Sequence, residues 1–316
     1  MSSDDPTTGE KTLHCTEVWG GNRRVERTVV LPGLDAWVYS QPCDHAAAGG
    51  DVHYVSACAG GQVVRILVAD VSGHGPAVAD TADALRRLMR RLVNDHDQRR
   101  LVRDLNTQFA TAAAAAKTVD GQPAEFRFAT AVALTYDSYT GHLLACNAGH
   151  PPPLWYRSTE RRWTTLEPAE VESGRNVPVG VLDGIDFEQF GLDVAVGDLV
   201  LCHTDSLVEA RYADGRQLGT EGLLDLVRSV DTDDAAALVP AVVSALGRLD
   251  AGNLTRDDLT CLLLRVNGSR PAVPLVDRLL SPARAAAGLA GVHLPSIRRR
   301  KSSIGPPSPA RVDAPK

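Results

Sequence analysis

The chain has 316 residues, 44% of them apolar, with a formal net charge of -6 at pH 7. The apolar share suffices for a real core, and the negative balance excludes a chain built to coat nucleic acid. No apolar run approaches the ~20 residues that would span a bilayer, and the polar, acidic stretch Met1–Glu10 is the opposite of a signal peptide; the expected location is the cytoplasm.

Residues 1 to about 12 read as disordered, within an N-terminal segment (1–25) that precedes the folded domain. Ala36-Trp37-Val38-Tyr39-Ser40 reads as a strand leading through a Pro/Gly-rich stretch to Gly49-Gly50-Asp51. Two apolar stretches, Val52–Cys58 and Gln62–Ala69, flank Ala59-Gly60-Gly61, which is a hairpin signal. The second is apolar almost throughout, as a strand covered on both faces would be, and runs into Asp70-Val71-Ser72-Gly73-His74-Gly75. From Pro76, Val78, Leu85, Leu88, Met89 and Leu92 recur at helical spacing, and a second helix is expected over Leu101–Ala115. Strands follow at Phe126–Tyr136 and His142–Ala148, joined by the turn Asp137–Gly141, then at Pro153–Arg157, Phe187–Val194 and Leu199–Thr204. Helices at Gly222–Val230 and Ala235–Leu249 precede a last strand at Leu259–Val266. Hairpins dominate, so the fold class is α+β with largely antiparallel sheets and helices packed outside. From 268 to 316 Pro, Ala, Ser and Arg dominate and include the run Arg298-Arg299-Arg300-Lys301, which reads as a flexible basic tail.

Cys15, Cys43, Cys58, Cys146, Cys202 and Cys261 are dispersed, without a CxxC pair to suggest zinc or a redox dithiol. Four aspartates share a different context: Asp51, Asp70, Asp205 and Asp257 each sit where a strand begins or ends. A carboxylate beside buried strand ends must be hydrated, hydrogen-bonded or bound to a cation. Singly, each suits a turn or a helix cap. Converging carboxylates, by contrast, would repel unless a cation lay between them, and hard oxygen donors favour Mg²⁺ or Mn²⁺ over zinc.

The runs Gly49-Gly50-Asp51, Asp70-Val71-Ser72-Gly73-His74-Gly75, Asn147-Ala148-Gly149-His150-Pro151-Pro152, Thr204-Asp205 and Asp257-Asp258-Leu259-Thr260 closely resemble the SpoIIE-like branch of the PPM metal-dependent protein phosphatases. The resemblance spans about Leu31 to Val266 and implies a four-layer αββα sandwich for a domain at 26–267. It implies two divalent cations, Mn²⁺ or Mg²⁺, bridged by Asp70 and held by the Val71 carbonyl, Asp205, Asp257 and Asp51, with Asp258 as the alternative to Asp257. Asp70 and Asp205 would act in catalysis through metal-activated water attacking phosphoserine or phosphothreonine. The substrate class it implies is a phosphorylated protein of the anti-sigma-factor-antagonist type, in bacterial signalling.

The chain departs from the family pattern at Tyr54, where many relatives carry an acidic residue, and at Ser206, where many have glycine. A non-catalytic binding module with the same fold is the alternative reading. His74 and His150 read as turn histidines bonded to backbone, Asn147 and Gly149 as shaping a strand-end turn, and Gly73 and Gly75 as permitting a tight one.

Overall fold

Side chains alternate between the two faces of a strand, so a strand that is apolar on both faces must be covered on both. The structure, a computed structural model, describes residues 8–13, 17–58, 61–73, 78–95, 97–115, 127–168, 177–230 and 233–270. Its elements are β1 (Thr8–Thr12), β2 (Glu17–Gly21), β3 (Val25–Leu31), β4 (Leu34–Gln41), β5 (Asp51–Cys58), β6 (Val63–Val71), α1 (Ala79–Leu92), α2 (Gln98–Ala115), β7 (Ala129–Asp137), β8 (His142–Ala148), β9 (Leu154–Arg157), β10 (Arg162–Thr165), β11 (Phe190–Asp193), β12 (Leu199–His203), α3 (Asp205–Val208), α4 (Gly219–Arg228), α5 (Ala235–Leu249) and β13 (Leu259–Val266). One sheet runs β1-β3-β4-β13-β12-β9-β10 and the other β11-β8-β7-β6-β5-β2. The pairings are antiparallel apart from β1 with β3, which is parallel.

The alternation builds four layers. On β5 and β6, Val55, Ala57, Val64, Ile66 and Val68 point into the space between the sheets. Their neighbours Val52, Tyr54, Leu67 and Ala69 point outward under α1 and α2. On β13, Leu262, Leu264 and Val266 face the inter-sheet core, whereas Leu259, Cys261 and Leu263 pack under α4 and α5. The architecture is therefore α1/α2, six-stranded sheet, seven-stranded sheet, α4/α5, the expected αββα sandwich.

The N-terminal segment corrects the expectation. Thr8–Thr12 and Glu17–Gly21 were expected to lie outside the folded domain, yet they form strands β1 and β2. β1 pairs with β3 in one sheet and β2 with β5 in the other. Leu13, between them, is buried in the inter-sheet core. Gly20 permits the close approach of β2 to β5: its φ is +147°, and a Cβ there would lie 2.1 Å from the His53 carbonyl oxygen. Short polar runs such as Thr-Gly-Glu-Lys-Thr carry no alternation of their own, and their partners supply the pairing. β3, β10 and the single-turn α3 also went unread. The sandwich belongs to a compact unit spanning Met1–Pro274. The tail beyond Arg270, with its expected flexibility, lies outside the described residues, as do Cys15, His74 and Gly75.

Cys43, Cys58, Cys146, Cys202 and Cys261 are buried thiols outside any disulfide among the described residues, and burial pushes Cys146 and Cys202 up to about 12. They behave as small core residues. Among the described residues no helix is long and apolar enough to cross a membrane.

Ile66 is fully buried between the sheets. Ile66→Ala should lower the stability measured by denaturant unfolding by about 2–5 kcal/mol, whereas Val196→Ala, at a position 66% exposed, should stay within about 0.5 kcal/mol.

Candidate active site

Asp51 and Asp70 are direct cross-strand partners at the ends of β5 and β6. Asp51 shares the parity of Val55, and Asp70 that of Val68, so both carboxylates face the gap between the sheets. Asp51 is only 3% exposed. Beyond Asp70 the chain folds back over Gly50: a Cβ at Gly50 would lie 3.2 Å from the Val71 carbonyl oxygen and 3.3 Å from that of Gly73. This turn uses Gly73 at φ +93°, as expected. Phe128 and Arg127 hold it in place. The Ser72 N–H donates to the Phe128 carbonyl at 2.9 Å, the Phe128 N–H to Ser72 Oγ at 3.2 Å, and Arg127 Nη1 to the Ser72 carbonyl at 2.8 Å.

The facing sheet brings Asp205, which follows β12 and opens α3. The adjacent Thr204 ties the two sheets together. Its Oγ1 donates to Asp51 Oδ2 at 2.9 Å and accepts from the Thr260 N–H at 3.0 Å. Ser206 lies in the first turn of α3, outside the residues with positive φ, so the change from glycine carries no backbone strain. Tyr54 is buried under α1 on the opposite face of β5 from Asp51, with Arg86 beside its hydroxyl.

The structure separates the roles of Asp257 and Asp258. Asp258 is 2% exposed, and both its oxygens are taken: Oδ1 accepts from the Cys43 N–H at 2.7 Å and Oδ2 from the Gly50 N–H at 2.6 Å. A Cβ at Gly49 would lie 2.3 Å from Asp258 Oδ1, so glycine is what lets that carboxylate enter. Asn22 completes the bracket, its Nδ2 donating to the Gly49 carbonyl at 3.2 Å while its own carbonyl accepts from the Gly49 N–H at 3.0 Å. Asp257 is half-buried, its Oδ1 accepts from the Asp258 N–H at 2.7 Å, and its charge acts on both Asp205 and Asp70. Sequence reasoning missed Asp258, Asn22 and Thr204 as the scaffold; a second aspartate beside a buried strand end was the only signal.

Burial, reinforced by the charges of Asp258 and Asp205, pushes the Asp51 carboxyl well above its ordinary value despite the Thr260 and Thr204 hydrogen bonds. Burial and then Asp51, Asp205, Asp257 and Asp258 do the same to Asp70. Asp205 rises to about 6 through burial, Asp257 and Glu209. Like charges in a dry place cannot all ionise without a counter-charge. The fit to divalent cations rests on this donor set and on Asp51 Oδ1, which is buried without a hydrogen-bond partner. Among the described residues no three His, Cys, Asp or Glu side chains close on one point; the carboxylates interact through their charges across the site.

Three histidines lie buried nearby. Burial lowers His53 to about 4, and burial with the neighbouring His203 lowers His150 to about 3. His203 itself falls to about 4, again through burial. The His150 ring bonds to the Thr130 side chain, and the backbone of His203 also acts on it.

Two outcomes test this assignment. Asp258→Asn turns one acceptor into a donor facing a backbone N–H, and in EDTA it should cost about 1–3 kcal/mol of unfolding free energy, whereas Asp257→Asn should change the EDTA value little. The raised Asp205 pKa of about 6, against the ordinary 3.8, means that the folded metal-free protein holds this proton more tightly than the unfolded chain. The linked stability is present at low pH and is lost as pH rises from about 4 through about 6. Measured in EDTA, the stability of Asp205→Asn relative to wild type should grow across that window; a pH-independent difference would show that its neighbours do not strain Asp205.

The family model described as Stage II sporulation protein E (SpoIIE) matches residues 60–267 and so includes Asp70, Asp205 and Asp257 but not Asp51. Among solved structures, the RsbU and RsbW domains of Rv1364c from Mycobacterium tuberculosis align with a TM-score of 0.58 at 24% identity, covering 85% of this chain and 71% of that one. The PP2C phosphatase domain with a regulatory fragment of SpoIIE from Bacillus subtilis aligns at 0.57 and 13%, covering 80% and 64%. RsbX in complex with magnesium aligns at 0.53 and 15%, covering 77% and 100%. These likenesses share the two-sheet PP2C-type sandwich described above. With more than half of its length matched by the family model, the chain belongs to the SpoIIE family.

Proposed function

We propose that the protein is a metal-dependent phosphoserine/phosphothreonine protein phosphatase. The single observation that carries this is the placing of Asp51, Asp70, Asp205 and Asp257 at strand ends of both sheets, with the carboxyls of Asp51, Asp70 and Asp205 raised by burial and by the charges of their neighbours. Two divalent cations, Mn²⁺ or Mg²⁺, would be held by Asp70, the Val71 carbonyl, Asp51, Asp205 and Asp257, and the magnesium complex of RsbX supports a hard cation. Bound there, such cations lower the pKa of water and offset charge on phosphoryl oxygens. The chain's own residues position the site. Thr204 orients Asp51 through Oδ2 and leaves Oδ1 available, while Asp258 and Asn22 hold the loop that carries Asp51. Thiol chemistry finds no support: the sequence lacks a Cys-x5-Arg loop, and the described cysteines are buried.

The domain responsible is read as 26–267 together with strands β1 and β2, and 268–316 as a separate tail. The proposed substrate is a phosphorylated protein of the anti-sigma-factor-antagonist type, and the likeness to a chain holding RsbU and RsbW domains is in keeping with signalling by partner exchange. Against a non-catalytic module stand the helical backbone of Ser206 and the outward packing of Tyr54, so neither departure disturbs the aspartates. Hydrolysis of an aryl phosphate and of a phosphoserine peptide by the purified protein should need Mn²⁺ or Mg²⁺, stop in EDTA, and fall to background in Asp205→Asn. Turnover that survives EDTA would overturn the metal-centred reading, and no turnover with either cation would favour the binding module.

A further inference from the structure

The run Asn147-Ala148-Gly149-His150 lies beside the carboxylates without belonging to them, and it is built to deliver one side chain. Asn147 grips the backbone of His150 at both ends, its Oδ1 accepting from the His150 N–H at 2.7 Å and its Nδ2 donating to the His150 carbonyl at 2.8 Å. Gly149 makes the turn at φ +70°, where a Cβ would lie 2.7 Å from Pro178 Cγ. The result is an imidazole 4% exposed at the polar end of the inter-sheet space.

The ring's neighbours lead to both halves of the candidate site. Nδ1 lies 2.8 Å from Thr130 Oγ1, and Thr130 on β7 is the direct cross-strand partner of Asp70. Opposed side chains on neighbouring strands sit about 5 Å apart at Cβ, so Thr130 stands next to Asp70. On its other side His150 meets His203, the last residue of β12, which lies two residues before Asp205. His203 in turn bonds through Nδ1 to the carbonyl of Thr204, whose hydroxyl holds Asp51. One neutral ring thus spans from the strands that carry Asp70 to the strand that carries Asp205. Nε2 is buried without a hydrogen-bond partner. An unpartnered buried polar atom costs stability that a leucine would not, so an imidazole here is a poor space-filler.

We infer that His150 is a positioning residue that, with Thr130, sets the separation of Asp70 and Asp205 and thereby the affinity for divalent cations. The inference rests on the metal-centred reading above, and the test separates the two. Mn²⁺ binding to the full chain is measured by titration calorimetry, and the unfolding midpoint in EDTA, for wild type, His150→Leu, His150→Asn and Thr130→Val. His150→Leu keeps the volume but not the polarity. The Asn amide puts a polar atom close to where Nδ1 sits, and Thr130→Val removes the partner hydroxyl at constant shape.

Thr130→Val and His150→Leu should each weaken Mn²⁺ binding about 10–100-fold, the usual effect of losing a group that orients metal ligands. His150→Asn should lie closer to wild type than His150→Leu. Thr130→Val leaves Nδ1 unpaired and should lower the EDTA midpoint modestly without unfolding the protein, so that variant decides the matter if His150→Leu fails to fold. Lowered midpoints with unchanged Mn²⁺ affinity would make His150 merely structural and overturn the inference. Wild-type binding with unaffected variants would overturn it alone. A wild type that binds no Mn²⁺ would overturn the metal-centred reading and this role together.

Discussion

Everything at the end of this sandwich is arranged around carboxylates that repel one another. Asp51, Asp70 and Asp205 are pushed above their ordinary ionisation range by burial and by their neighbours' charges, and Asp257 and Asp258 add to the field on Asp70. A soft structure would relieve that repulsion by swinging the side chains into water. Here they are fixed to the ends of strands whose other residues are locked in three apolar layers, so relief has to come from a proton or a cation. The core thus holds unfavourable electrostatics in place.

A second aspartate does the fixing. Asp258 spends both oxygens on the backbone N–H groups of Cys43 and Gly50, which satisfies a buried carboxylate without a cation. It also explains the glycine pair before Asp51, since a side chain at Gly49 would occupy the carboxylate's place. Two adjacent aspartates therefore divide the labour. Asp257 adds its charge to the field on Asp70 and Asp205, and Asp258 is consumed in holding the loop that presents Asp51.

The two sheets meet at this end through polar contacts, whereas elsewhere they meet through apolar packing. Thr204 reaches from the seven-stranded sheet to Asp51, and within that sheet Ser40 and Thr260 share a hydrogen bond at 3.0 Å. The His150 ring bonds close by to Thr130, which shares the inward parity of Val132 on β7. Polar contacts are directional where apolar packing is not, so they define the distance between the aspartates of one sheet and those of the other.

Much was legible in the sequence because it is local. Hairpin signals, helical spacing and apolar runs placed β4 to β9, α1, α2, β12, α5 and β13 within a few residues, and Asp51, Asp70, Asp205 and Asp257 declared themselves by standing at strand ends beside glycine or threonine. What stayed hidden has no local signature. β1 and β2 are short, polar edge strands that exist because β3 and β5 offer unpaired backbone groups. Whether Asp257 or Asp258 faces the site cannot be read from two identical neighbours. It is decided by which carboxylate finds the N–H groups of Cys43 and Gly50, more than two hundred residues away in the chain. The sequence by itself determined which side chains could carry charge to one end of a sandwich; only the tertiary structure decided that Asp258 spends both oxygens on distant backbone while Asp51 keeps one without a partner, because hydrogen-bond satisfaction depends on partners that folding alone brings together.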